Sequence, residues 1–203
     1  MARPTLTETE VENCRERVCD AARGLFSKHG IDHVGLRMIG SEVGLTGAAL
    51  YRYFPEGRDE IVAAVRTRAF RELGDLSEQA VRSPGTPLDR FQAVAKAYVA
   101  FAASDTASYR MLFSLMQTGD FPELRKEARR ARDILFRAAQ AAAHGEESVE
   151  EGRVLAHVAW AAIHGAVMLE TSDMLQMGVD ITQLVDGISR ALSHLSGESR
   201  PVA

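Results

Sequence analysis

Strand patterning is nearly absent from this chain of 203 residues. No stretch alternates apolar and polar positions with the Val, Ile, Thr and aromatic content of a half-buried strand, which excludes a sheet-based fold. Cysteine is scarce: only Cys14 and Cys19. Five positions apart on a helix, their side chains point roughly 140° away from each other, so they neither bridge nor share a metal. A reduced, cytoplasmic protein is the expectation. Long apolar runs are missing too. The longest uncharged stretch, Val154 to Leu169, is interrupted by His157, His164 and Gly165. It falls short of the roughly 20 residues that span a bilayer. Met1 to Thr9 is polar and lacks the apolar core of a signal peptide, so neither targeting nor membrane contact is expected. There is no excess of positive charge: 24 Lys and Arg face 28 Asp and Glu, for a net charge of -4. That argues against a protein that coats polyanions indiscriminately and leaves room for a locally basic face.

What is present is helical spacing. Glu10 to His29 carries Val11, Val18, Ala22, Leu25 and Phe26 on one face and stops at Gly30. Leu36 to Val43 forms a short helix ending at Gly44, and Thr46 caps another that runs through Tyr53. Pro55 and Gly57 break the pattern, and Arg58 to Val81 is a long amphipathic segment. After the loop Ser83-Pro84-Gly85-Thr86-Pro87, further helices are expected near 88–103, 107–117, 122–143, 149–177 and 181–195. The fold class is therefore all-α, with about nine helices joined by short loops. Residues 1–57 make a small three-helix unit, and 58–203 a larger helical body. At 46% hydrophobic residues, a chain of this length buries a core without disulfide or metal staples.

The segment Leu36 to Pro55 carries the chemistry. Two short helices crossing steeply through a tight turn make three demands. A small residue must sit where they touch, and Gly40 supplies it. The turn wants a glycine, and Gly44 supplies that. Apolar pins must hold both helices to the rest of the unit, and Ile39, Val43, Leu45 and Leu50 serve. This register turns Thr46, Gly47, Ala48, Tyr51 and Arg52 outward, toward a DNA major groove. Thr46 and the open N–H groups of the helix start suit a phosphate oxygen. Ala48 suits a thymine methyl, Arg52 is the strong donor, and Tyr51 and Tyr53 reach toward phosphates. Arg37 and Arg58 complete the DNA-facing set. The same corner also fits an ordinary bundle, with the tyrosines packed beside Phe54. The local charge is not basic: residues 1–60 hold 8 Lys and Arg against 10 Asp and Glu.

Leu36-Arg37-Met38-Ile39-Gly40-Ser41-Glu42-Val43-Gly44-Leu45-Thr46-Gly47-Ala48-Ala49-Leu50-Tyr51-Arg52-Tyr53-Phe54-Pro55 resembles the DNA-binding motif of the tetracycline-repressor (TetR) family. Ile39, Gly44, Leu50, Tyr51 and Phe54 match, and Thr46 stands for a serine. Gly47 stands where the family often has a phosphate-contacting lysine, and Arg58 where a lysine usually opens the fourth helix. The resemblance implies a helix-turn-helix regulator with a C-terminal effector-binding and dimerisation domain. Its partners would be a double-stranded DNA operator, a small-molecule effector and a second copy of the chain. Tyr109-Arg110-Met111-Leu112-Phe113, and Trp160 followed by His164-Gly165, resemble a Trp-His-Gly subgroup of such C-terminal domains.

In the helical body, His157, Trp160, His164 and Met168 recur at spacings of three, four and four. They line either a ligand pocket or a packed seam between helices. Tyr98, Phe101, Phe113 and Met116 are soft, adaptable residues suited to a mostly apolar effector, and equally to a core. The ligand set is thus Tyr98, Phe101, Phe113, Met116, Trp160, His164 and Met168. The last two helices carry broad apolar faces (Val154, Val158, Ala161, Ala162, Leu169, Leu184, Ile188, Leu192, Leu195) that would pair across a two-fold axis. No metal, cofactor or catalytic group is expected. Two other classes remain open: a helical sensor or adaptor that keeps the fold without an operator, and an all-helical enzyme using His164 or His157 as a base.

Overall fold

The computed structural model describes residues 7–113, 119–144, 149–175 and 178–197. Among them are nine α-helices, one 3-10 turn and no strand. They are α1 (Glu8–His29), the 3-10 turn Ile31–His33, α2 (Leu36–Glu42), α3 (Gly47–Leu50), α4 (Arg58–Val81), α5 (Pro87–Ser104), α6 (Thr106–Phe113), α7 (Pro122–His144), α8 (Val149–Thr171) and α9 (Ile181–Gly197). Local chemistry explains several of their ends. Thr7 and Glu10 close a capping box on α1: the Thr7 hydroxyl accepts the Glu10 N–H at 3.2 Å, and the Glu10 carboxylate accepts the Thr7 N–H at 2.8 Å. The Thr7 N–H and, after it, the Thr7 hydroxyl at 2.9 Å donate to the Glu10 carboxylate and hold that carboxyl below its ordinary value. Thr86 and Asp89 repeat the device on α5, which has Pro87 in its first turn.

Two helices are shorter than their spacing predicts. α3 is one turn long, Gly47–Leu50, rather than running through Tyr53. Beyond Leu50 the bonds tighten to three-residue spacing, Arg52 N–H to Ala49 O and Tyr53 N–H to Leu50 O. α8 stops at Thr171. There Asp173 takes φ 55°, its N–H reaches the Glu170 carbonyl, and the Met174 N–H returns to the Leu169 carbonyl at 2.8 Å. That is a Schellman cap with aspartate in the usual glycine position.

Packing divides the chain into two units, 1–69 with 107–125, and 70–106 with 126–203. The first has its own core. Val18, Ala22 and Phe26 of α1, Val34, Ile39 of α2, Leu50 and Phe54, and Ile61, Val62 and Val65 of α4 meet in it with Met111 of α6. Buried Arg66 donates to the Leu112 carbonyl at 2.9 Å and ties α6 to α4. In the second unit α5 packs against α8 and α9, which also pack against each other. Arg130 of α7 bonds Asp75 at 2.6 Å and Glu78 at 3.0 Å on α4, as well as Glu127 at 3.2 Å. The bonds to these carboxylates, Glu78 first, hold the guanidinium above its ordinary value. α8 buries Ala156, Ala159, Ile163, Ala166 and Val167 and leaves Val154, Val158, Met168 and Leu169 exposed. Its residues Gly152–Thr171 are long and apolar enough, by length and composition alone, to cross a membrane. The shorter uncharged stretch did not predict this, because the helical window also takes in Arg153 and Glu170.

Candidate nucleic-acid interface

The α2–α3 corner is built from glycine. A Cβ on Gly40 would lie 2.7 Å from the Leu45 carbonyl oxygen and 3.0 Å from the Thr46 carbonyl carbon, so the backbones meet with no room for a side chain. Gly44 takes φ +73°. Its N–H reaches the Ser41 carbonyl at 3.3 Å, and the Leu45 N–H returns to Gly40 at 2.8 Å, closing a Schellman turn. Thr46 then caps α3, its hydroxyl accepting the Ala49 N–H at 3.1 Å. Leu50 and Phe54 are fully buried and hold α3 to the core.

The outer surface follows from that anchoring. Arg37, Thr46, Ala48, Tyr51 and Arg52 are exposed. Tyr51 is 53% exposed and lies over Gly57, where a Cβ would come within 2.9 Å of its ring. Gly57 has φ +66°, so both its backbone and its bareness seat that ring. Other members of the expected set sit differently. Gly47 is half-buried, and a Cβ there would lie 3.3 to 3.4 Å from the backbone of Leu36 and Arg37. Tyr53 is half-buried against the core. Arg58 turns its guanidinium onto the carbonyls of Val34, at 2.8 Å, and Ile31. Arg58 thereby clamps the 3-10 turn to the start of α4, adding a second donor to the Ile31 carbonyl, which also accepts the Val34 N–H at 3.4 Å.

Two arginines of α1 do work that the sequence does not reveal. Arg15 pairs with Glu60 at 2.9 Å, lies 4.2 Å over the Phe54 ring, and donates to the Tyr53 carbonyl. Arg17 donates to the Val43 carbonyl at 3.1 Å. α1 therefore holds both ends of the α2–α3 corner. Several acids of this unit are likewise occupied locally. Glu60 pairs with Arg15, Asp20 with Arg68 at 3.0 Å, and Glu10 belongs to the capping box.

In the second unit the expected ligand residues are partly brought together. The Tyr98 hydroxyl and His164 Nδ1 share a hydrogen bond at 3.2 Å, and the Trp160 ring lies 5.8 Å from His164. Phe136, which the sequence did not single out, bridges Trp160 at 6.1 Å and His157 at 4.4 Å. Burial pushes the His164 pKa down, favouring the neutral ring. Phe101 is 1% exposed and Met168 is exposed. Phe113 belongs to the first unit, beside Tyr109 at 5.2 Å. Met116 lies outside the described residues. Among the described residues no group of three or more His, Cys, Asp or Glu is gathered to hold a metal ion.

A short glycine-turned helix pair with a polar outer face, followed by a helical body, defines a helix-turn-helix protein class. Comparison with known proteins is more specific. Residues 18–65 match the model of the tetR family of bacterial regulatory proteins, and residues 91–192 match the tetracyclin repressor-like C-terminal domain. The chain belongs to the TetR family. The second match spans Tyr109–Phe113 and Trp160, His164 and Gly165. The HTH-type transcriptional repressor KstR of Mycolicibacterium smegmatis is 32% identical over 76 residues, 37% of this chain and 37% of that one. The chain spans about two fifths of the length of the curated relatives it matches. A protein with unknown function from Rhodococcus sp. RHA1 shares the fold, with a TM-score of 0.75 and 24% identity over 89% of this chain and 93% of that one. A TetR-like transcriptional regulator from the same organism has a TM-score of 0.67 and 15% identity over 97% and 100%.

Proposed function

We propose that this protein is a ligand-responsive, DNA-binding transcriptional repressor that binds a palindromic operator as a homodimer in the cytoplasm. A small, mostly apolar effector releases it. Residues 1–57 read DNA, and 58–203 bind the effector and pair the subunits. The observation that carries the reading is the outer face of the α2–α3 corner. Thr46, Ala48, Tyr51 and Arg52 are exposed on the one-turn helix α3 and the residues that flank it, whose inner side is fixed by Leu50 and Phe54. A protruding helix with a donor, a methyl group and hydroxyls suits base edges and phosphates. KstR, similar over 76 residues, is a transcriptional repressor by name.

One such face makes few contacts, so two are needed, about one DNA turn (34–36 Å) or a multiple apart. The exposed apolar row on α8, Val154, Val158, Ala161 and Met168, supports a two-fold pairing. So do half-exposed Ile181, Leu184 and Ile188 on α9. These residues recur at steps of three, four and seven positions, as in a helix–helix seam. For the effector, Tyr98, Trp160 and His164 combine aromatic walls with one polar point, which suits an apolar molecule carrying a single hydrogen-bonding group. Its release of DNA requires tighter binding to the state that does not fit the operator.

The test is a titration of the protein into labelled fragments, including the region upstream of its own gene. Some fragment should bind better than random DNA at moderate salt. Tyr51→Phe with Arg52→Ala should abolish that preference while the dimer stays intact. Unchanged affinity in the double variant would refute the assignment of the face.

A further inference from the structure

The first unit contains a cavity of about 220 Å³ away from the α3 face. Phe26 and Ile31, at the end of α1 and the start of the 3-10 turn, wall one side. Ala107 and Met111 of α6 wall the other, and Arg110 also lines it. Phe26 and Met111 are buried members of the core, so the cavity floor is apolar and formed by packed side chains. A thioether beside an aromatic ring suits a flat, polarisable guest. Among the described lining residues the one ionisable side chain is the Arg110 guanidinium, and the adjoining last turn of α1 adds Lys28 and His29. That volume suits a guest of about ten non-hydrogen atoms, smaller than a drug-sized ligand.

We propose that this cavity is a second ligand site, within the packing unit that carries the α2–α3 corner, for a small aromatic carboxylate. Its ring would lie between Phe26 and Met111, and its carboxylate would face Arg110. The cavity is mechanically joined to the reading helix. The Ile31 carbonyl is held by Arg58, the first residue of α4. Arg58 follows Gly57, on which the Tyr51 ring is seated. A guest that displaces Ile31 therefore shifts the clamp that positions Tyr51. The site itself does not depend on the proposed function; its effect on operator binding does.

Phenylacetate is a suitable probe, with full-length protein carrying ¹³C-labelled methionine methyls. The Met111 resonance should move saturably, with a dissociation constant in roughly the 0.1–10 mM range for a guest of this size. Phenylacetamide should bind about fivefold more weakly, as expected for loss of one charged contact near the surface. That difference should vanish in Arg110→Gln. Ala107→Phe, which fills the cavity, should weaken the Met111 response at least about tenfold. No saturation of Met111 up to about 20 mM, or a response confined to Met168, would overturn the site. Equal binding of acid and amide to the wild type would overturn the carboxylate class. With a selected operator, saturating phenylacetate should weaken DNA affinity in the wild type and not in Ala107→Phe; no effect on the wild type would overturn the coupling. If the protein binds no DNA at all, the repressor reading fails, while the Met111 titration still decides the site.

Discussion

Two glycine-to-alanine substitutions should change stability unequally, and the difference measures how tightly the α2–α3 corner is closed. Gly24 lies on the exposed side of α1, and a Cβ there meets nothing within 4 Å. Gly24→Ala should therefore gain the full helix-propensity difference, about 1 kcal/mol. Gly40 is also helical and offers the same gain. Its Cβ, however, would sit 2.7 Å from the Leu45 carbonyl oxygen, where ordinary contact begins at 3.4 Å. The turn must retreat by the difference, 0.7 Å. Every near neighbour is backbone, so no side chain can swing away. Overpacking of this kind costs about 1–3 kcal/mol. Gly40→Ala should come out between about neutral and 2 kcal/mol destabilised once the propensity gain is subtracted. The two variants should then differ by about 1–3 kcal/mol, or roughly 2–12 °C in Tm for a chain of this size. Urea unfolding followed by far-ultraviolet circular dichroism reads the difference. If Gly40→Ala stabilises as much as Gly24→Ala, the close approach of the two helices is wrong, and the outward register of α3 loses its support.

Three further outcomes follow from single residues. Asp173 holds a left-handed conformation and places a negative charge at the negative end of α8, so Asp173→Gly should raise stability by about 0.5–1 kcal/mol. Asp173→Asn, read in the same urea assay, isolates the charge contribution, and a destabilised glycine variant would contradict the cap. His164 has its folded pKa below the ordinary 6.5 because burial disfavours the imidazolium. Its contribution is thus fully present above the unfolded pKa and is lost as pH falls below it. The urea midpoint of wild type should drop between about pH 7 and 5 more steeply than that of His164→Gln, and parallel profiles would show that the ring is not shielded. Burial pushes the Cys19 thiol pKa up to about 11, whereas Cys14 is only half-buried. A thiol reagent at neutral pH should therefore modify Cys14 and spare Cys19 until the protein unfolds; equal labelling of the native protein would show that α1 is not packed as described.

The corner around Gly44 was legible because its constraints are local. Gly40, Gly44 and Thr46 each answer a demand made within a few residues, by a contact, a left-handed turn and a cap. The helices were legible because each buries one stripe, as α5 does with Phe91, Val94, Tyr98 and Phe101. What escaped is set by long-range pairing. Arg58 reads as a free cation until Val34 and Ile31, 24 and 27 positions away, offer their carbonyls. Arg15 reads as surface charge until Glu60, 45 positions on, meets it. Phe136 carries no local signal that it lies against Trp160 and His157. The end of α8 was overshot because only backbone conformation tells that Asp173 takes a glycine's place. Tyr51 sits between these cases. Its outward direction follows from helix register, whereas its seat on Gly57 depends on how the connector folds back.

The most direct test of the central claim is selection of bound sequences by the purified protein from a random double-stranded DNA library. The selected pool should converge on an inverted repeat whose half-sites lie about one helical turn apart, or a multiple of it. The same selection with Tyr51→Phe, Arg52→Ala should lose that repeat. A wild-type pool with no enriched motif, or an identical repeat recovered by the double variant, would contradict the account.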